Sequence, residues 1–180
     1  MQQQSLPLLT TERLLLRQLQ FTDDKAIFAL RNNAVVNAFI QRPLLRNIND
    51  ARLFITSINN GIENKEWLYW AMILKSNQQL IGTICFWHFS QDNTMAEIGY
   101  ELHPNYQGAG FMNEAFKAIV DYGLTNLQLN IIEAYTQPGN IRSIKLLEKN
   151  SFIHDSTSNN PVFSREIRFI LQKPIIKSSL

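Results

Sequence analysis

MAEIGYELHPNYQGAGFMNEA, residues 95–115, is the stretch on which the fold turns. It reads as a strand over Met95–Leu102, is stopped by Pro104, is loosened by Gly108 and Gly110, and resumes as a helix. Glycines at those two places let the main chain approach a ligand closely and turn its amides toward one point. The helix that follows adds unpaired N–H groups and the positive end of its dipole. Strand, glycine-rich loop and helix N-terminus in that order build a place for phosphate. The expected grip is the run of main-chain N–H groups from Gln107 through Gly108, Ala109, Gly110 and Phe111 to Met112, with Asn113 beside it.

Upstream of this stretch, Leu68–Leu74 and Leu80–Phe89 are rich in aromatic and β-branched residues, and Gly82 is a candidate bulge. The polar turns KSNQ (75–78) and Ser90–Asn93 join these strands to each other and to the Met95 strand, which predicts an antiparallel meander. Downstream, Met112, Ala115, Phe116, Ile119, Val120 and Gly123 recur at helical spacing and give one buried face. A strand over Ile131–Thr136 is then reached through a helix, so it lies parallel to the Met95 strand. Pro138 and Gly139 end it, and Asn140 caps a helix to about Lys149. Phe152–Asp155 and Phe163–Leu171 read as a closing hairpin around STSNNP (156–161).

The N-terminal part is less clearly patterned. Leu14–Leu16 reads as a short strand, and Thr22 as the N-cap of a helix with Asp23 and Asp24 in its first turn, ending near Asn32 and Asn33. A second helix is expected from about Asn49 to Asn60, stopped by Gly61, while 33–47 shows little pattern. The sum is an α+β chain. It predicts a mixed sheet of about seven strands with helices on both faces, an antiparallel N-terminal meander and a central parallel pair. Residues 1–180 are expected to form a single domain.

Composition narrows the function classes. Lys and Arg number 17 against 15 Asp and Glu, so nothing favours a nucleic-acid partner. Cys85 is the one cysteine, which excludes an internal disulfide, and in an apolar strand it reads as an inert core thiol. No His/Cys cluster has metal-ligand spacing, so no metal is expected. MQQQSLP does not resemble a signal peptide and no apolar run is long enough to span a membrane; a cytoplasmic protein without a membrane partner is expected.

These residues carry a resemblance. Gln107-Gly108-Ala109-Gly110 followed by a helix resembles the phosphate-loop motif of the GNAT acetyltransferase superfamily, in which Gly or Ala usually stands where this chain has Met112. TERLLLR (11–17), AEIGYELHP (96–104), NEA (113–115) and NIRSIKLLEK (140–149) occur in the expected order and together look like the ribosomal-protein N-terminal acetyltransferase branch. A second departure lies where the family usually has Gly before Phe152; here stand Asn150 and Ser151, and either Asn150 takes the left-handed position or the turn differs.

The resemblance implies acetyl-coenzyme A as co-substrate, its diphosphate on the 107–112 amides and its pantetheine arm paired with the Tyr100 and Leu102 backbone. It further implies Asn140 on that arm and Ser143 near the sulfur. Direct transfer to an amine has three needs. An α-amine of pKa about 8, or a lysine amine of about 10.4, must be neutral when it attacks. The oxyanion needs an N–H donor, and the thiolate, from a thiol of pKa about 8.5, is helped by a proton. Glu97 is the first candidate base, directly or through water, with Glu101 behind it on the same strand face; Ser143 is the first candidate acid and Tyr135 the reserve. Nothing in the sequence around His88 or His103 marks either as a base, and Trp67, Trp70 and Trp87 read mainly as core. The acceptor implied by resemblance is a protein N-terminal α-amine. A polyamine, an amine antibiotic, a different acyl group, or a non-catalytic coenzyme A sensor stand as alternatives, and a homodimer is left open.

Overall fold

The computed structural model describes residues 6–156 and 166–173. Its elements in chain order are β1 (Leu9–Thr10), β2 (Leu14–Arg17), α1 (Asp24–Arg31), α2 (Ala34–Asn37), α3 (Ile48–Glu63), β3 (Leu68–Leu74), β4 (Gln79–Trp87), β5 (Met95–Leu102), α4 (Phe111–Thr125), β6 (Ile131–Thr136), α5 (Ile141–Lys149), β7 (Ile153–Asp155) and β8 (Ile167–Gln172). They form one eight-stranded mixed sheet in the order β1-β2-β3-β4-β5-β6-β8-β7. The β3–β4–β5 meander is antiparallel, and β5 and β6 are the parallel pair. The strand beyond the expected seven is β1, too short to show any period.

Alternation along β5 sends Ala96 and Ile98 into the core beneath α4, whose Ala115, Phe116 and Ile119 are fully buried. Phe116 meets Tyr100 and Phe152 edge-on, each with 5.4 Å between ring centroids. At Gly123 an added Cβ would lie 2.8 Å from the Phe86 ring, so the helix rests directly on the sheet. Opposite, α1 buries Ile27 and Leu30 and α3 buries Ala51, Ile55 and Ile58. Each such leucine or isoleucine contributes about 1.5–3 kcal/mol on burial.

Several expectations are corrected. Thr22 is not the cap of α1. A 3₁₀ turn over Phe21–Asp23 precedes the helix, and Asp23 instead accepts from the Gln20 N–H (2.8 Å) and from both Nη atoms of Arg17. Gly61 does not stop α3, which runs through it to Glu63; a Cβ there would fall 2.0 Å from the Trp67 ring, so the glycine makes room for an indole. The unpatterned 33–47 contains α2, capped by Asn33 Oδ1 accepting from the Val35 N–H at 2.9 Å. The bulge falls beside Gly82, where pairing steps from Met72↔Gly82 to Ile73↔Leu80. The closing hairpin pairs β7 with β8, yet β8 lies between β7 and β6; residues 163–165 of the expected strand fall outside the described residues.

The turn after α5 takes the second of the two forms that the sequence leaves open: it differs from the family's. Asn150 stays at φ −102°, and Ser151 takes the left-handed conformation at φ 65°. The Phe152 N–H returns to the Leu147 carbonyl at 3.0 Å and closes the cap. Serine in that region costs about 1–2 kcal/mol that glycine avoids. Ser151→Gly is therefore expected to stabilise the fold by about 1 kcal/mol, read as a raised urea midpoint at unchanged slope.

A cleft between parting strands

Pairing of β5 with β6 covers Met95↔Ile131, Ala96↔Ile132 and Glu97↔Glu133, and stops there. Beyond Glu97, β5 remains paired with β4 as far as Gly82↔Leu102, while β6 continues along β8 to Thr136↔Ile167. The two strands have parted. The His103 N–H donates to Ile81 at 2.8 Å, so odd-numbered residues of β5 turn their main chain toward β4. The main-chain groups of Tyr100 and Leu102 consequently face the opening. The Leu102 carbonyl accepts from Gln107 Nε2 at 3.1 Å.

At the open end lies the glycine loop. Gly108 and Gly110 both stand at φ 81°, which only glycine adopts without strain. Gln107 falls out of the expected grip, because its N–H is spent on the Pro104 carbonyl at 3.1 Å. The N–H groups of 108–113 have no acceptor among the described residues; the first main-chain bond into the loop is Glu114 N–H to the Gly110 carbonyl, 3.0 Å. Met112, the departure from the usual small residue, packs with the core, so it does not crowd the loop. These unpaired amides at the start of α4 suit a diphosphate.

The loop is clasped from β2's side of the sheet. Glu114 Oε1 accepts from the Thr11 hydroxyl (2.6 Å) and the Arg13 N–H (2.7 Å), and Oε2 from Arg13 Nε (2.7 Å). Arg13 also donates to the Ala109 carbonyl at 3.0 Å and lies 4.3 Å above the Phe111 ring. This ties the TER and NEA blocks together in space. Burial pushes the Glu114 carboxyl up, but the Thr11 and Arg13 hydrogen bonds and the Arg13 charge outweigh it and hold the group below the ordinary glutamate range. Its stabilising effect is therefore present above the unfolded pKa and is lost as pH falls through the folded value. Arg13 is 40% exposed, so its charge is partly screened. Glu114→Gln is expected to cost about 1–2 kcal/mol at neutral pH and to flatten the acid limb of the stability curve.

The α5 wall holds Asn140 and Ser143. Asn140 Oδ1 caps the helix, accepting from the Ser143 N–H at 3.3 Å, and its amide nitrogen has no partner among the described residues. Ser143 is buried, with Oγ 2.7 Å from the Tyr100 hydroxyl. Burial pushes the Tyr100 phenol up, against the Ser143 hydrogen bond, to about 12. The pair stays protonated at neutral pH and can pass a hydrogen bond into the opening. Asn113 Oδ1 accepts from Asn150 Nδ2 at 3.1 Å, which locks the end of α5 to the start of α4.

Glu97 stands at the vertex, on the opposite sheet face from Tyr100. Its Oε2 lies 2.8 Å from Nδ1 of His88, a residue held at φ 46° with its ring stacked on Trp87. The sequence did not reveal this contact: Trp87 pairs with Glu97, and the next residue turns back over the sheet. Trp67, Trp87, His88 and Phe89 line an open hollow beside it, whereas Trp70 is wholly core. Tyr135 donates to Glu133 Oε2 at 3.0 Å, and burial together with that contact pushes its phenol up to about 12. Glu133 is also paired with Arg168, which reaches Asp155 at 2.6 Å. Burial, and the charge of Glu97, raise Glu166. Cys85 is buried with its thiol pushed up by burial, as an inert core residue should be. Glu101 is buried on the same face as Glu97, against Arg42 at 2.7 Å. His103 caps the turn before the loop, accepting from the Asn105 N–H.

Comparison with known proteins agrees with this architecture. Residues 13–153 match the acetyltransferase (GNAT) domain family. The uncharacterized N-acetyltransferase p20 of Bacillus licheniformis is 37% identical over 144 residues, covering 80% of this chain and 81% of that protein. Among solved structures, the ribosomal-protein-S5-alanine acetyltransferase of Vibrio fischeri superposes with a TM-score of 0.79 at 18% identity, over 93% of this chain and 100% of that one. The microcin C7 self-immunity acetyltransferase MccE, solved with acetyl-CoA and AMP, superposes with a TM-score of 0.77 at 18% identity, over 90% and 93%. With the family match across most of its length, the chain belongs to the GNAT acetyltransferases and is an acetyl-coenzyme A-dependent N-acetyltransferase.

Proposed function

We propose that this protein acetylates the α-amine of a polypeptide N-terminus by direct transfer within the cleft. The observation that carries the reading is the parting of β5 and β6 at Glu97↔Glu133, with unpaired amides at the open end and a carboxylate at the vertex. The diphosphate of the acyl donor would lie on the 108–113 amides, and its pantetheine arm along Tyr100 and Leu102, with the Asn140 amide beside it. Glu97, oriented by His88, accepts a proton from the amine directly or through water. The nitrogen then forms a bond to the acetyl carbon as the carbon–sulfur bond breaks. Ser143, backed by the Tyr100 hydroxyl, donates a hydrogen bond to the departing sulfur, which leaves as the thiol once protonated. The base lies on one sheet face and the donor on the other, so each reaches the opening without meeting its partner. A peptide terminus as acceptor is supported by the sequence blocks shared with the ribosomal-protein branch.

The test follows free thiol release with acetyl-coenzyme A and a panel of peptides, polyamines and aminoglycosides, with mass spectrometry of the products. Acetylation of peptide α-amines above the other acceptors is expected. Tight coenzyme binding with no turnover on any amine would overturn the reading in favour of a coenzyme A-binding module.

A further inference from the structure

Behind Glu101 lies a charge cluster that the transfer chemistry leaves unused. Glu101 faces Arg42 Nη1 at 2.7 Å and Arg31 Nη1 at 3.9 Å, and its Oε1 accepts from the Thr83 hydroxyl at 3.3 Å. All three charged side chains are at least four-fifths buried, at 7% exposure for Glu101, 12% for Arg42 and 17% for Arg31. Two guanidinium groups therefore share one carboxylate. The other ionisable groups nearby do not restore the balance: burial pushes both the Tyr69 phenol and the Cys85 thiol up, so each stays neutral.

Hydrogen bonding is equally incomplete. Arg31 Nε, Arg42 Nη2 and Glu101 Oε2 are buried with no hydrogen-bond partner among the described residues, so the close approach of Arg42 to Oε2 is a charge contact with its N–H aimed elsewhere. The same chain closes an arginine–carboxylate pair fully at Arg17–Asp23, with parallel bonds of 2.8 and 2.9 Å. The cluster is nevertheless held in place. Arg31 stacks 3.9 Å above the Phe54 ring, Arg42 Nε donates to Asn37 Oδ1 at 2.8 Å, and Asn37 Nδ2 returns to the Arg31 carbonyl at 2.6 Å. An uncompensated buried charge with positioned, unused donors costs stability unless something else completes it.

Its location says what would. The segment 38–47 carries Arg42 to β5, and its Phe39 carbonyl accepts from Gln137 Nε2, just past the end of β6, at 3.2 Å. The segment thus bridges the parted strands on the Glu97 face, beside the carboxylate that the transferase reading makes the base. Glu97 and Glu101 point to the same face, four residues or about 13 Å apart along the strand.

We propose that Arg31 and Arg42, gathered on Glu101 beneath the 38–47 segment, form a carboxylate-binding subsite for the acceptor. The favoured amine then bears a carboxylate at a spacing set by that separation of about 13 Å, less the reach of the base to the nitrogen and of the guanidinium to the carboxylate. This rests on the transferase reading and narrows its substrate class. It disfavours polyamines, which would bring more positive charge to a site already in excess, and favours peptides with an acidic residue near the N-terminus or small ω-amino acids.

The test compares matched acceptors that differ by one charge: ε-aminocaproate against its amide, and amidated tripeptides ending in Asp against Asn. In the wild-type protein the acid is expected to exceed the amide by about tenfold or more in kcat/KM, chiefly through KM. Arg42→Gln should bring that ratio close to one, and Arg42→Lys should keep part of it. The first pair reports a small amino acid and the second a peptide, so whichever shows the larger ratio identifies the source. A wild-type ratio near one, or an unchanged ratio in Arg42→Gln, overturns the subsite; a purely structural cluster would lower stability and leave the wild-type ratio at one. Titrating glutarate into the coenzyme A complex reads the subsite without turnover. Binding that Arg42→Gln abolishes is expected, and no binding to the wild type overturns the proposal. Glutarate binding with no amine turned over would instead support the subsite and count against the transferase reading.

Discussion

Gly110→Glu is expected to weaken acetyl-coenzyme A binding roughly a hundredfold while leaving the sheet intact. Gly110 is the N-cap of α4 at φ 81°, and the N–H groups around it are unpaired. Three effects add. A side chain in that conformation costs about 1–2 kcal/mol, which the loop relieves by shifting its amides out of line. A carboxylate at the positive end of a helix competes with a diphosphate for the same donors. It also stands next to Arg13, whose Nη2 would be 3.5 Å from a Cβ at this position, and draws that guanidinium away from the Ala109 carbonyl. Gly110→Ala separates these effects. The space is adequate, so only the conformational cost remains, and a loss of about tenfold is expected. Calorimetry with acetyl-coenzyme A and with coenzyme A decides; full affinity in Gly110→Glu would remove the loop from the donor site.

The parts of the fold legible in the sequence were those with strong local periodicity. The meander, α4, β6 and α5 each carry an apolar repeat with a turn or cap signal beside it, and their boundaries follow. Elements governed by distant contacts were not legible. Gly61 looks like a helix stop until Trp67 is seen lying against it. Asp23 outcompetes Thr22 at the start of α1 because Arg17, on another element, fixes its carboxylate. Segment 33–47 shows little period because its helix, α2, is only four residues long and the rest is irregular.

The site divides in the same way. The amide loop was readable because glycine at a positive φ is a local requirement, although the Gln107 N–H is diverted to Pro104. The His88–Glu97 contact was not readable, since it depends on the left-handed turn that folds His88 back over its own strand. Nor was the Arg31–Arg42–Glu101 cluster, which gathers residues from a helix, an irregular segment and a strand. A better signal for that cluster was present: a glutamate beside Leu102 near the end of a core strand needs a cation once it is buried, and only long-range structure supplies one.

Glu97→Gln should slow turnover by about a hundredfold to a thousandfold at neutral pH, with coenzyme affinity unchanged. The substitution keeps size and hydrogen-bonding reach but removes the site that takes the proton of the amine. With the base in place the bound amine is neutralised inside the site, whereas in the variant the rate follows only the fraction of amine already neutral in solution, so the variant's rate depends more steeply on pH. The groups facing Glu97 make the comparison specific. His88 contacts it directly, Glu133 pairs with it across β6 while held by Arg168 and Tyr135, and Glu166 is raised in part by its charge. Removing the Glu97 charge should therefore let Glu166 titrate lower, a shift visible by NMR that confirms the geometry independently of rate. His88→Gln tests the partner. If His88 serves to orient the carboxylate, its loss costs less than that of Glu97, and the double variant is no slower than Glu97→Gln alone. Independent, additive losses would assign the histidine its own proton-transfer step, and a wild-type pH profile in Glu97→Gln would take the carboxylate out of the chemistry altogether.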